Sequence, residues 1–237
     1  MTKQERAVRT RSQLIAAAAL AFHQNGFTRT SLTGISHQVG VSSGALYFHF
    51  ESKEALATEV VSRASRALQD SARHVYRVST SSLQCLIDTS HALAELLRSD
   101  TVVKAGFQLN CAGHGGNRTD LRQDWQVCVQ RLLAEAAKEG TLAPGASRQS
   151  IVTAVVAATV GFEVLSRDDY QWLSRHSLTG FWSLQLPGIA TPESLGLLSA
   201  AGSEAALQGP RVTRPGETRW ARADGPRTGG PGARRFP

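Results

Sequence analysis

The stretch SLTGISHQVGVSSGALYFHFESKEAL, from Ser31 to Leu56, constrains the fold more than any other part of the chain. Its hydroxyl residues and its glycine sit where helices start and stop. Thr30 or Ser31 can cap a short helix running to about Val39, with Leu32, Ile35 and Val39 on its inner face. Gly40 breaks that helix, because glycine enters the left-handed region at no steric cost. Ser42 can cap a second short helix through about Phe48. Ser52 then starts a long one, ending near Val75, with Glu54 in the first turn, where the helix dipole favours an acid. Upstream, Leu14, Ile15, Ala18 and Phe22 recur at helical spacing and Gly26 ends the run. Further helices are expected near 81–99, 101–112, 119–139, 148–166 and 170–185, and strand-like alternation is absent. The fold class is therefore all-α.

Charge is uneven along this scaffold. The chain carries a net charge of +7 with a pI near 9.9, which favours an acidic partner, nucleic acid ahead of an anionic membrane. From Arg6 to Phe50 there is no Asp or Glu, while Arg6, Arg9, Arg11 and Arg29 all lie there, a composition suited to a face that meets phosphate. Two short helices joined by a Gly-containing turn, after a longer helix, make a helix-turn-helix. The second short helix would lie in the DNA major groove with its N-terminal residues toward the bases. Ser42 and Ser43 then offer hydroxyls and an open helix start to phosphate, and Gly44 allows close approach. Tyr47 presents a hydroxyl, His49 can donate to a phosphate, and Lys53 can reach the backbone from the next helix. Thr30 joins this DNA-facing set from the start of the first short helix, while Phe48 and Phe50 are expected to anchor the long helix.

These residues also carry a resemblance. The segment SLTGISHQVGVSSGALYFHFESKEALATEVV resembles the DNA-binding domain of TetR-family repressors, and GALYFHFESKEAL is similar to the γ-butyrolactone receptor branch of Streptomyces-like bacteria. One position departs from that branch: Ser43 stands where a Lys usually precedes the glycine, which implies weaker phosphate contact or an altered base preference. The resemblance implies a helix-turn-helix domain over 1–51 and a helical ligand-binding and dimerisation domain over 52–188, whose last two helices form a dimeric four-helix bundle. It further implies a repressor that leaves a palindromic operator when a butyrolactone-like or antibiotic small molecule binds, controlling secondary-metabolite genes. A pseudo-receptor, or a regulator that needs no ligand, shares this layout. The stretch TVVKAGFQLNCAGHGGNRTDLRQDWQ is similar to the receptor segment leading to a pocket tryptophan, which would be Trp125 here. Phe107, Leu109, Val156 and Phe162 are the accompanying pocket candidates.

The residues support a dimer independently. IVTAVVAATVGFEVL is apolar on nearly every side, so as a helix it needs cover all round. Trp172, Leu173, Leu178, Phe181 and Trp182 mark a second apolar helix for the same bundle. The first of these stretches is short for a bilayer and contains Glu163. The charged N-terminus leads into no signal core, and three scattered cysteines suit a reducing compartment, so a cytoplasmic location without membrane contact is expected. No cofactor is expected. Cys111 and His114 are the only close metal-ligating pair, and P-loop, dinucleotide and nucleophile-elbow motifs are missing, which leaves an enzyme as a remote reading. Seven of the eight prolines fall at or beyond Pro187, and the final segment mixes Pro, Gly and Arg, so 189–237 is expected to be a disordered basic tail.

Overall fold

The computed structural model describes residues 2–114, 116 and 119–207. Their regular structure is helical. The first helix, α1 (Lys3–Arg29), opens on a capping box between Thr2 and Glu5 and is broken at Gly26, whose φ of 75° lies in the left-handed region. There follow α2 (Leu32–Val39), α3 (Ser43–His49) and α4 (Lys53–Val78), capped by Ser31, Ser42 and Ser52, each accepting a hydrogen bond from the backbone N–H three residues on. Gly40, at φ 74°, makes the turn between α2 and α3. The second half holds α5 (Ser82–Ser99), α6 (Thr101–Cys111), α7 (Leu121–Lys138), α8 (Arg148–Leu165) and α9 (Arg175–Ile189), then short α10 (Pro192–Leu195) and α11 (Glu204–Leu207).

Three apolar clusters result, with α4 contributing to each; the smallest gathers Ala64, Val103, Phe107, Leu121, Leu173 and Leu178 with neighbours. The N-terminal core gathers Leu14, Ile15, Ala18 and Phe22 of α1 with Ile35, Leu46, Phe50, Leu56 and Val60, and Leu109 of α6 completes it. The largest core is built from Leu83, Leu86 and Ile87 of α5, Trp125 and Val129 of α7, Ile151 and Val155 of α8, and Trp182 of α9. Where α6 crosses α4, a Cβ added at Gly106 would lie 2.4 Å from the Ala64 Cβ. Only glycine permits that approach.

Three expectations need correction. The expected helix over 170–185 is split. Tyr170–Leu173 form a 3-10 turn, extended Ser174 ends it, and the Ser174 hydroxyl caps α9. The second concerns the apolar face of α9. Leu173, Leu178 and Trp182 are buried within the subunit, the Trp182 indole N–H donating to Ser90 Oγ at 2.7 Å, and so are unavailable to a partner chain. The outer face of α9 carries Leu184 instead, 82% exposed.

The third correction concerns 189–207, expected in the tail but folded against the rest of the chain. Pro187 lies inside α9, and Pro192 occupies the first turn of α10, where a missing N–H costs nothing. Residues 199–206 form a strap across α5. Ser199 exchanges two hydrogen bonds with the Gln84 amide, and Ser203 gives its N–H and hydroxyl to the two oxygens of Asp88, each at 2.7 Å. Asp88 is fully buried, so these donors, with Ser79 and Gln84, replace its lost water. The rest of the expected tail, 208–237, lies outside the described residues.

The strap contains a titratable contact. The buried His91 donates from Nε2 to the Ala200 carbonyl at 2.9 Å. Burial pushes the His91 pKa below its usual 6.5 and nearby Arg175 adds to this, while the Ala200 bond and Asp88 oppose it. A histidine depressed in the folded state contributes stability that is present above 6.5 and lost as pH falls toward the folded-state value. Thermal unfolding from pH 7.5 to about 5 should therefore show falling stability in the native chain and a shallower fall in His91→Gln.

Candidate functional site

Helix α3 has seven residues, and Leu46 is the one it buries. With Leu46 fixed inward, the rest of the helix faces out. Ser43 and Gly44 form its first turn, and Ser42 Oγ accepts from Ala45 N at 3.1 Å, leaving the hydroxyl proton free to donate. Tyr47 is 57% exposed, and His49 is half-buried with its ring edge-on to Phe48 at 5.2 Å. Ser42, Ser43, Gly44, Tyr47 and His49 thus share one short, accessible element. Phe48 departs from expectation. It is 82% exposed and anchors nothing. At about 100° per residue it sits roughly 200° round from Leu46, so a buried Leu46 turns Phe48 outward. Phe50, past the helix end, is buried as expected.

Thr30 and Lys53 lie apart from this face. Thr30 is only 6% exposed, and its hydroxyl donates to the carbonyls of Ala21 and Gly26 across the break in α1. Its expected place among the DNA-facing residues is withdrawn for that reason, and the cap of α2 belongs to Ser31. Lys53 Nζ reaches the carbonyl oxygens of Phe27 at 3.0 Å and Thr30 at 3.1 Å, with Thr28 at 3.4 Å, and lies 4.4 Å from the Phe27 ring centre. It closes the end of α1, where the last carbonyls run out of helical donors and Phe27 O is met only by the Thr30 N–H.

The acid-free stretch is partly neutralised by α4. Glu59 receives Arg11 at 2.9 Å and Arg66 at 3.0 Å, with Arg63 at 3.6 Å. Burial works to raise the Glu59 pKa, but the hydrogen bonds and charges of Arg11 and Arg66 outweigh it and hold the carboxyl below its usual range. Arg11 also stacks on Phe50, so it serves the core, while Arg6 and Arg9 stay exposed.

A cavity of about 100 Å³ lies in the second half, walled by Ser65, Leu68 and Gln69 of α4, Phe107 of α6, Trp125 of α7 and Thr159 of α8, among others. Trp125 and Phe107 therefore meet there, as expected of pocket residues. Leu109 does not, being packed in the N-terminal core. Val156 lines an open groove on the other side of α8, and Phe162 lines a smaller void beyond Thr159. The lining is almost wholly apolar. Its polar groups are mostly satisfied internally: Trp125 Nε1 donates to Thr159 Oγ1 at 3.2 Å and Gln69 donates to Ser65. Burial pushes the Cys128 thiol up to about 11, so this wall residue stays a neutral, unreactive thiol. Ser65, Thr89 and Cys128 are wall residues that periodicity could not find, since each lies on a helix face that also serves the core. Among the described residues no cluster of three or more His, Cys, Asp or Glu could hold a metal.

Comparison with known proteins places this arrangement. Residues 14–60 match the family model described as bacterial regulatory proteins, tetR family. The chain is 30% identical over 193 residues to the A-factor receptor protein of Streptomyces griseus, covering 81% of this chain and 68% of that protein. The chain belongs to the TetR family. Among solved TetR-like structures, a γ-butyrolactone receptor described as ArpA-like superposes with a TM-score of 0.74 at 25% identity, covering 86% of this chain and 99% of that one. CprB from Streptomyces coelicolor, solved with its biological operator sequence, gives 0.69 at 27% identity over 81% of this chain and 94% of that one. The chain is thus a transcriptional regulator of the γ-butyrolactone-receptor-like branch, not an enzyme.

Lys53 yields a test of its structural role in this TetR domain. Lys53→Met keeps the stem but leaves three carbonyls without their cation. Hydrogen bonds to charged groups are worth about 1.5–3 kcal/mol, so the variant should melt several degrees lower. An unchanged melting temperature would show that the ammonium does not hold the end of α1.

Proposed function

We propose that this chain is a homodimeric repressor that binds a palindromic operator through α3 and leaves it when a small, mostly apolar molecule enters the cavity beside Trp125. One observation carries the reading. Residues of α4 line the cavity at Ser65, Leu68, Gln69 and Ala72, and the same 26-residue helix begins at Lys53, directly behind α3. A rigid helix of about 39 Å can carry a small shift at one end into a changed position of the recognition unit at the other. The ligand must then favour the spacing that DNA does not.

The second copy is expected to sit on α8 and α9. α8 is the one helix among the described residues long and apolar enough to cross a membrane by length and composition, yet only 22% of its residues are buried in its own subunit. Its outer side offers Ala157, Gly161, Val164 and Leu165, beside Gly180, Leu184 and Gly188 of α9. Small residues there allow close helix approach, and covering the apolar ones gives about 1.5–3 kcal/mol per large side chain. Two copies would set their α3 helices about 34–36 Å apart to match successive major-groove faces. Ligands of the γ-butyrolactone or antibiotic type and target genes of secondary metabolism are the reading that the A-factor receptor and ArpA-like relatives support, with the cytoplasm as its place of action. Phe48 joins the DNA-facing set in this reading, since an exposed ring on α3 suits a thymine methyl.

Tyr47→Ala and His49→Ala should each weaken operator binding by about 1–3 kcal/mol with helical content unchanged by circular dichroism. Operator affinity equal to wild type in both would exclude α3 as the reading element. Trp125→Ala should keep operator affinity but lose release in gel shifts titrated with alkyl γ-butyrolactones and candidate antibiotics. If no such molecule releases the wild type, a ligand-independent regulator becomes the better description. Release of the variant at wild-type concentrations would instead assign Trp125 to the core.

A further inference from the structure

The α6 end touches both halves of the molecule. Phe107 stands in the cavity wall, and the next residue, Gln108, meets His23 of α1 at 3.1 Å. Asn110 clamps the start of α7 by donating to the Thr119 carbonyl at 2.6 Å and accepting from Leu121 N at 2.9 Å. Leu121 and Trp125 lie on the cavity. Gly113, at φ 81°, turns the chain back so that His114 N–H bonds the Leu109 carbonyl at 2.8 Å. This closure fixes the His114 ring relative to α6, and the ring stacks on Phe27 with centroids 4.0 Å apart and planes within 18°. Phe27 in turn lies under Lys53, whose ammonium holds the carbonyls of Phe27, Thr28 and Thr30 just before the α2 cap. Gly116 lies near α4, where a Cβ added to it would stand 3.5 Å from Thr58 Oγ1.

We propose that His114 is a positioning residue that couples the cavity to the reading head: its stack on Phe27 transmits displacement of α6 and the α7 start to the end of α1, and so to α2 and α3. The route adds a second arm to the one through α4. It runs through α1 rather than along α4, although α6 also packs closely on α4 at Gly106. A shift of Phe107 can pass along α6 to its C-terminal end, where Gln108 meets His23 and the His114 ring meets Phe27. The inference rests on the repressor reading above. It adds the residue through which the head and the cavity sense one another.

Coupling is reciprocal in free energy, so operator binding must weaken ligand binding by the factor by which the ligand weakens operator binding, and the cavity wall is where that effect is to be sought. The test accordingly needs no identified ligand. A duplex selected from a random pool by the wild-type chain serves as the probe, and hydrogen exchange is followed by mass spectrometry over Leu121–Cys128, free and duplex-bound. Wild type should show a duplex-induced change in exchange there. His114→Ala should bind the duplex within about threefold of wild type and lose that change, whereas His114→Phe, which keeps a stacking ring, should regain it. A merely structural role would alter exchange equally with and without duplex and leave the difference intact. That outcome overturns the proposal, as does a wild type with no duplex-induced change at Leu121–Cys128. A loss of duplex affinity beyond about tenfold in His114→Ala would also overturn it, by placing His114 in binding rather than coupling. If wild type selects no duplex at all, the repressor reading itself fails, and this inference with it.

Discussion

The carbonyls that end α1 are only partly paired, Phe27 O being met by the Thr30 N–H, and they lie at a point where the backbone has just been broken by Gly26. A single ammonium collects them. Lys53, in the first turn of α4, binds three of these oxygens and covers the Phe27 ring. Thr30 contributes from the other side by bonding back to Ala21 and Gly26. The position of α2 and α3 on α4 follows from this knot, because the Ser31 cap of α2 is the residue after Thr30. The exposed face of α3 thus sits on a small domain whose other side is tied down internally. Residues that a DNA-binding reading would send to phosphate are used to hold the frame.

The second half solves a different problem. It must leave space inside a helical core without leaving polar groups unsatisfied. The cavity beside Trp125 does so by pairing its own polar atoms, indole to Thr159 and amide to Ser65, so the surface offered to a guest is apolar. Closure of the core from the C-terminal side depends on Asp88, which would be a costly buried charge without Ser79, Gln84 and Ser203. The strap is thus part of the core's polar accounting and not an appendage to it.

Helix limits in the first half were legible because each is written in local chemistry: a serine cap, a glycine at positive φ, an acid in the first turn. The helix-turn-helix followed from those marks, the all-α class from helical spacing without strand alternation, and the family resemblance from the motif GALYFHFESKEAL. Leu46 and Phe50 were readable as core by spacing. Phe48 was not, because an aromatic residue next to core positions gives no sign of which side of a two-turn helix it faces. The strap escaped notice because its partners are 115 residues away in sequence and its prolines resemble a tail's. Of the pocket candidates, Trp125 and Phe107 reach the cavity, while Leu109 is drawn into the other core by the crossing of α6 over α4.

By itself, the sequence determined where helices begin and end, which end of the chain is suited to DNA and which family the chain belongs to, since caps, breaks and motif residues act within a few positions of themselves. Only the tertiary structure decided which way Thr30, Phe48 and Lys53 turn, which apolar residues of α9 are spent inside the subunit, and which side chains surround empty space. Those outcomes depend on long-range packing. A glycine at 106 that lets α6 press on α4, a serine at 203 that meets a carboxylate at 88 and a histidine at 114 that meets a ring at 27 are each set by contacts that no local pattern encodes.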